Sequence, residues 1–300
     1  MAAEEASILF LKWSPIYEKE KPFQIFADLL SDAQDRRKDK LAWDIKDVLV
    51  EDIRDRGEEF QLDTRGFTAV QIPGFTDLID HETIEKEYIP VVKNMAEEEL
   101  GGVGIVLLID WRIRSSENKT ENEEKINYSN LLSPLLPFNY AHTDMAPIAV
   151  IRRIQNDYPE QAERMLRQRI RAVNVWKPLG HPVSEWSLAM CDGVTLAPDD
   201  VVETDAVRRG FINTFYYSKY SENQKWYFLK NQTPDEALIF KHFDSDPDVP
   251  VPFTLHSSIK QNHVPENSVR RKSIEIRLLV FSDKFDDVDD IKQPGTSRAC

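Results

Sequence analysis

Apolar residues in this chain alternate with polar ones far more often than they recur at helical spacing. Residues 7–13, 65–73, 213–220, 224–229, 236–243 and 273–282 read as strands, by that alternation or by their β-branched and aromatic content. Residues 101–114 form the clearest strand, largely apolar, and so buried on both faces. Residues 171–177 make another strand, which Pro178 is expected to stop. Helical spacing is confined to a short run at 23–30, to 81–100 with its acidic face, and to 158–171, where Ala162, Leu166 and Ile170 share a stripe. Helices gather before residue 101 and strands after it. The expected fold is therefore mainly β with flanking helices, around a double-stranded β-helix (jelly-roll) core. A single domain is expected over 1–282, with a mixed α/β part at 1–100 and the jelly-roll core at 101–282. Residues 283–300, with Asp286-Asp287-Val288-Asp289-Asp290 near their start, are expected to be a disordered acidic tail. The polar run 115–130 reads as a long loop, placed where it could act as a lid.

Composition narrows the range of partners. A chain of 300 residues with 41% hydrophobic content can bury a sizeable core. Its 38 Lys and Arg against 52 Asp and Glu leave a net charge of −14, which argues against nucleic acid and against an anionic membrane surface. A hydrophobic small molecule is compatible with that balance, as is a homodimer. No apolar run is long enough to span a bilayer, and the acidic start is unlike a signal peptide. Only two cysteines, Cys191 and Cys300, are present, so a reducing, cytoplasmic location is expected.

The candidate chemistry lies in His142-Thr143-Asp144 and in a later His. Two residues apart on an extended segment, His142 and Asp144 point to the same face. Two imidazoles and one carboxylate on one face of an octahedron can hold non-haem Fe(II) and leave three positions open for an oxo-acid and dioxygen. Of the six His, His81, His181 and His263 fall in turns or polar loops. His242 and His256 compete for the third ligand position. His256 is favoured, because it is read inside a strand and is followed by the basic strand Arg270-Arg271-Lys272-Ser273-Ile274-Glu275-Ile276-Arg277. Alternation there places Ile274, Ile276, Leu278 and Val280 on one face and Arg271, Ser273, Glu275 and Arg277 on the other. A guanidinium looking into the barrel can grip the far carboxylate of an oxo-acid through two parallel hydrogen bonds. Arg271 is the first candidate and Arg277 the second, with Ser273 adding a hydroxyl. A lone His-X-Asp is a weak signal, and the same three ligands could serve a metal-dependent hydrolase, while a non-catalytic jelly-roll binding protein would keep only the shape.

A set of longer matches sharpens this. Asn174-Val175-Trp176-Lys177-Pro178-Leu179 with Pro182-Val183, Leu188-Ala189-Met190-Cys191-Asp192, Trp226-Tyr227-Phe228-Leu229 and Asp235-Glu236-Ala237-Leu238-Ile239-Phe240-Lys241-His242-Phe243-Asp244-Ser245 precede His256 and the Arg271–Arg277 stretch. Together they resemble the fungal hydroxylase/desaturase family of Fe(II)/2-oxoglutarate-dependent oxygenases, over most of residues 60–282. The resemblance implies Fe(II) held by His142, Asp144 and His256, 2-oxoglutarate near Arg271, with Arg277, Ser273 and Asn174 beside it, and O2 as the oxidant. It also implies oxidation of an unactivated C–H in a bulky secondary metabolite, by hydroxylation, desaturation or endoperoxide formation. The size and the His-Thr-Asp context are most like the family's meroterpenoid endoperoxide-forming members. Lys177 stands where the family usually has Arg, and Gln232 where Met is common, so the pocket need not match. Phe138, Tyr140, Trp176 and Trp186 flank the motifs and are the candidate substrate-pocket residues, although ordinary core packing is the commoner reason for such aromatics.

Overall fold

The computed structural model describes residues 3–26, 38–78, 80–117, 130–208, 211–262 and 264–283. Its strands are β1 (Ala3–Leu11), β2 (Phe23–Ile25), β3 (Trp43–Asp52), β4 (Phe67–Gln71), β5 (Ile105–Ser115), β6 (Ile170–Leu179), β7 (Trp186–Cys191), β8 (Val201–Arg208), β9 (Phe211–Ser218), β10 (Trp226–Phe228), β11 (Glu236–Asp244), β12 (His256–Lys260) and β13 (Lys272–Phe281). The α-helices are α1 (Leu62–Arg65), α2 (His81–Thr83), α3 (Ile89–Leu100), α4 (Pro147–Asp157) and α5 (Ala162–Met165), with a π-helical turn, Ile84–Tyr88, joining α2 to α3.

The strands form the two facing sheets of a jelly roll. One has the order β4-β11-β6-β13-β5, and the other β1-β3-β10-β7-β12. A three-stranded sheet, β2-β8-β9, continues the second one across a single residue. His142 bridges His256 on one side and Tyr217 on the other, and so acts as the seam between β12 and β9. Strands from both sides of residue 101 share these sheets.

β13 shows why the first sheet is so well specified. It pairs along its whole length with both β5 and β6. Its Ile274, Ile276, Leu278 and Val280 pack on Tyr88, Ile89, Val92 and Ala96 of the helical layer. Each such aliphatic side chain contributes roughly 1.5–3 kcal/mol through burial, and a one-residue slip would turn all four into the sandwich. The alternate residues Ser273, Glu275 and Arg277 are buried on the inner face, where the site forms. At one end of the sandwich, Phe60, Phe67, Trp176, Met190, Leu238 and Phe240 fill the space between the sheets.

Some expectations are corrected. The run 23–30 is not a helix over the described part. Phe23–Ile25 is a strand that pairs in parallel with β8, and this tertiary pairing overrides local helical spacing. The helix expected at 158–171 lies upstream, at α4, where Ala149, Val150 and Ile154 are buried and Pro147 opens the first turn. Pro159 draws Tyr158 out of the helical region, to φ −133° and ψ 55°, so the periodicity beyond it is broken into the single turn α5. β6 does not stop at Pro178. It runs to Leu179, because by then it has passed its last pair with β11, at Trp176, and a missing N–H is tolerated beside an open edge. β3, β7 and β8 are additional strands. Most of the expected loop 115–130 and the tail 283–300 lie outside the described residues, as does His263.

Candidate metal centre

The His142–Asp144 stretch is pinned from both sides by backbone bonds. The His142 N–H donates to the His256 carbonyl at 3.2 Å, and the His256 N–H donates back at 2.9 Å. The Thr143 N–H donates to the Tyr216 carbonyl at 2.9 Å. Asp144 is held at both of its backbone groups. Its N–H donates to His242 Nδ1 at 3.1 Å, and its carbonyl accepts from Asn213 Nδ2 at 3.0 Å. His256 is the first residue of β12, opposite Met190, so its ring enters the sandwich beside Phe240.

These constraints bring His142, Asp144 and His256 together. One donor atom from each lies within 4.8 Å of the other two, and the two His are buried. Asp144 Oδ1 is 3.3 Å from His142 Nε2 and 3.9 Å from His256 Nε2. His142 Nδ1 faces the Tyr140 carbonyl at 2.8 Å and that of His256 at 3.1 Å, so Nδ1 carries the proton and Nε2 keeps its lone pair. A lone pair and a carboxylate oxygen aimed at one point fit a cation there. Burial works to raise the Asp144 carboxyl, but nearby positive charge, Arg277 foremost, outweighs it and holds the group well below the usual carboxylate range. Burial lowers His256 well below the usual imidazole range and His242 to about 4, so both rings are neutral, as a metal-ligating imidazole must be.

Arg271 is buried, and it reaches β12 at Ser258, two residues beyond His256. Its Nη1 donates to the Trp186 carbonyl at 3.3 Å and Ser258 Oγ at 3.5 Å, and the guanidinium lies 5.6 Å from the centre of the Trp176 ring. Its Nε and Nη2, the two donors of the side-on fork, are buried and have no hydrogen-bond partner. The same holds for Ser273 Oγ. An open, buried fork of this kind fits a carboxylate. Arg277 is engaged differently, 2.9 Å from Asp110 and 3.9 Å from Asp144 Oδ2. Asn174 Nδ2 donates to Asp144 Oδ2 at 2.6 Å and to Glu275 Oε1 at 2.9 Å.

Among known proteins, the family described as "Oxidoreductase/YMDC permease-like domain" matches residues 9–281. The chain is 34% identical to the Fe(II)/2-oxoglutarate-dependent dioxygenase nvfI of Aspergillus novofumigatus, across 80% of this chain and 84% of that one. The chain belongs to the Fe(II)/2-oxoglutarate-dependent oxygenase family. It is also 27% identical to the hydroxylase/desaturase poxK of Penicillium oxalicum, over 79% of each chain. The solved structure of the iron and alpha-ketoglutarate-dependent endoperoxidase NvfI superposes with a TM-score of 0.80 at 29% identity, covering 94% of this chain and 99% of that one. No helix among the described residues of this oxygenase is long and apolar enough to cross a membrane.

In the oxygenase a cavity of about 260 Å³ opens beside His142 and Asp144. Of the four aromatic residues expected in the substrate pocket, Phe138 lines it. Tyr140 packs on Trp43 and Phe138, Trp176 is buried under Arg271, and Trp186 meets Arg271 through its carbonyl. His81 pairs with Glu85 at 3.4 Å, and His181 faces the carbonyls of Pro182 and Arg270. Lining residues that motif reading missed include Asn213, Phe215 and Tyr217 of β9 and Ala206 and Arg208 of β8. Alternation along 213–220 already put the first three on one face, but nothing local said which way that face points.

Proposed function

We propose that this enzyme oxidises an unactivated C–H of a bulky, largely apolar secondary metabolite, with His142 Nε2, Asp144 Oδ1 and His256 Nε2 as the iron ligands. When bound, Fe(II) with 2-oxoglutarate supplies the activation of O2, in which the oxo-acid is decarboxylated to succinate and CO2. Arg271 binds the distal carboxylate of 2-oxoglutarate through Nε and Nη2, with Ser273 and Ser258 as neighbouring hydroxyls and Arg277 as the second cation of the inner face. Asn174 orients Asp144 through its second oxygen. Phe138, Phe215 and Tyr217 lay an apolar substrate against the His142–Asp144 face and exclude water from it. Outcome follows from how the substrate carbon is held: hydroxylation, desaturation or endoperoxide formation. Endoperoxide formation on a meroterpenoid is the specific reading, supported by the likeness to NvfI, which is described as an endoperoxidase.

The single observation that carries the reading is the buried, unpartnered Arg271 fork, on a guanidinium whose Nη1 reaches Ser258, two residues beyond His256 on β12. A hydrolase built on the same three ligands activates water and needs no oxo-acid cosubstrate to turn over. The two cysteines and the acidic surface support a reducing, cytoplasmic setting. The test is turnover of 2-oxoglutarate to succinate with the purified protein under air and under argon. Succinate is expected only with Fe(II) and O2; hydrolysis that proceeds without either would contradict the proposal.

A further inference from the structure

The two oxygens of Asp144 face different sets of groups. Oδ1 faces the Nε2 atoms of His142 and His256. Oδ2 faces Asn174 Nδ2 at 2.6 Å, His242 Nε2 at 3.8 Å and Arg277 Nε at 3.9 Å. His242 is 1% exposed, and its ring sits edge-on between Phe240 and His256. Its orientation is settled at the far nitrogen. Nδ1 accepts the backbone N–H of Asp144, so it holds the lone pair, and the proton of the neutral ring is on Nε2. That N–H is buried and has no hydrogen-bond partner. His242 therefore offers no lone pair to a metal. It offers a donor, aimed at the carboxylate oxygen that the two ligand His do not face.

We infer that His242 is a positioning residue which, with Asn174, keeps Oδ2 of Asp144 out of the coordination sphere, so that Asp144 binds iron through Oδ1 alone. A carboxylate bound through both oxygens would take a position that the oxo-acid or O2 needs. The Asn174 hydrogen bond to Oδ2, with the His242 N–H facing the same oxygen, favours the single-oxygen mode, because the Asn174 bond would be lost and the His242 donor left facing nothing if that oxygen turned to the metal. At 3.8 Å the His242 contact is longer than a hydrogen bond, so metal loading is expected to shorten it. The backbone bond from Asp144 couples the two ends: the residue that supplies the carboxylate also sets the tautomer of the ring that steers it. The inference rests on His142, Asp144 and His256 being the ligands.

The test uses the full chain and Co(II) as the probe, read by tryptophan fluorescence for affinity and by visible d–d absorption for coordination number. His242→Phe keeps a ring and removes both nitrogens. His242→Asn keeps an acceptor near Nδ1 and removes the donor at Nε2, and His242→Gln restores an amide donor near the Nε2 position. The Phe and Asn variants are expected to bind Co(II) about 10- to 100-fold more weakly, with an altered d–d spectrum, and the Gln variant to stay within about threefold of wild type. Wild-type affinity and spectrum in a folded Phe or Asn variant would overturn the inference. Complete loss of Co(II) binding in all three variants would also overturn it, by making His242 a ligand. If the Phe variant does not fold, the Asn and Gln variants carry the comparison. The underlying ligand assignment is checked separately by His142→Ala, where retained Co(II) affinity would remove the triad itself and not just the role of His242.

Discussion

Replacing Arg271 by Met should raise the stability of the ligand-free protein and abolish its response to 2-oxoglutarate. Burial, with repulsion from Arg114, pulls the guanidinium down to about 9. Measured from an ordinary arginine value above 12, that is a cost of roughly 5 kcal/mol for holding the charge. The compensation visible in the structure is small: two hydrogen bonds from Nη1 and the face of Trp176. Those contacts together offset about 2–3 kcal/mol. Met fills a similar volume without a charge, so the variant should gain about 2–3 kcal/mol, or several degrees in Tm. Against that, the fork-to-carboxylate interaction is lost. At about 2–4 kcal/mol for a buried charged pair, 2-oxoglutarate should bind about 30- to 1,000-fold more weakly. Differential scanning fluorimetry across a 2-oxoglutarate titration, with Mn(II) present, measures both effects on one sample. Arg271→Lys should fall between, since an ammonium brings the charge without the fork. A Met variant that is destabilised, or that keeps wild-type affinity for 2-oxoglutarate, would refute the reasoning.

Three further predictions test other parts of the account. His142→Ala should lose succinate formation while keeping its circular dichroism and Tm within a few degrees; turnover by that variant would contradict its place in the metal centre. Gly193→Ala should destabilise the fold by about 1–3 kcal/mol in urea titrations and weaken metal binding as well. A Cβ there would collide with Val251 and lie 3.0 Å from the Phe253 carbonyl oxygen, displacing the segment that leads into His256; an unchanged midpoint would contradict that packing. Lys177 is fully buried, and desolvation lowers it to about 8. Between that value and the ordinary lysine value of roughly 10.4 the unfolded chain binds more protons, so stability should rise with pH across this window, by up to about 3 kcal/mol. That contribution should be missing from Lys177→Met, and a wild-type stability that is flat or falling relative to that variant from pH 8 to 10 would contradict the assignment.

What the sequence made legible follows from how local each signal was. β13 could be read with its faces assigned, because both edges are paired and its apolar face meets α3, so strict alternation is enforced over its length. The pairing of His142 with Asp144 in one cluster was legible for the same reason: the two share a face of an extended segment, and no helix had to be placed to see it. Choosing His256 over His242 was a closer matter, since both rings end up beside Asp144, at 3.9 and 3.8 Å from its oxygens. The His242 tautomer is set by a backbone N–H from 98 residues away, which no spacing rule contains. The same limit explains β2 and β8. Each is a strand through its pairing with the other and, for β8, with β9, and not through its own alternation. Tyr158-Pro159, in contrast, was a local signal that ends α4, and weighing it above the stripe of Ala162, Leu166 and Ile170 would have placed the helix correctly.

The central claim is that His142, Asp144 and His256 hold one iron ion that 2-oxoglutarate then chelates. Anaerobic titration of the wild-type protein with Fe(II) and 2-oxoglutarate, beside the His256→Ala variant, tests it by visible absorption. A weak charge-transfer band should grow to one equivalent in the wild type and be missing in the variant. No band in the wild type, or an equal band in both proteins, would contradict the account.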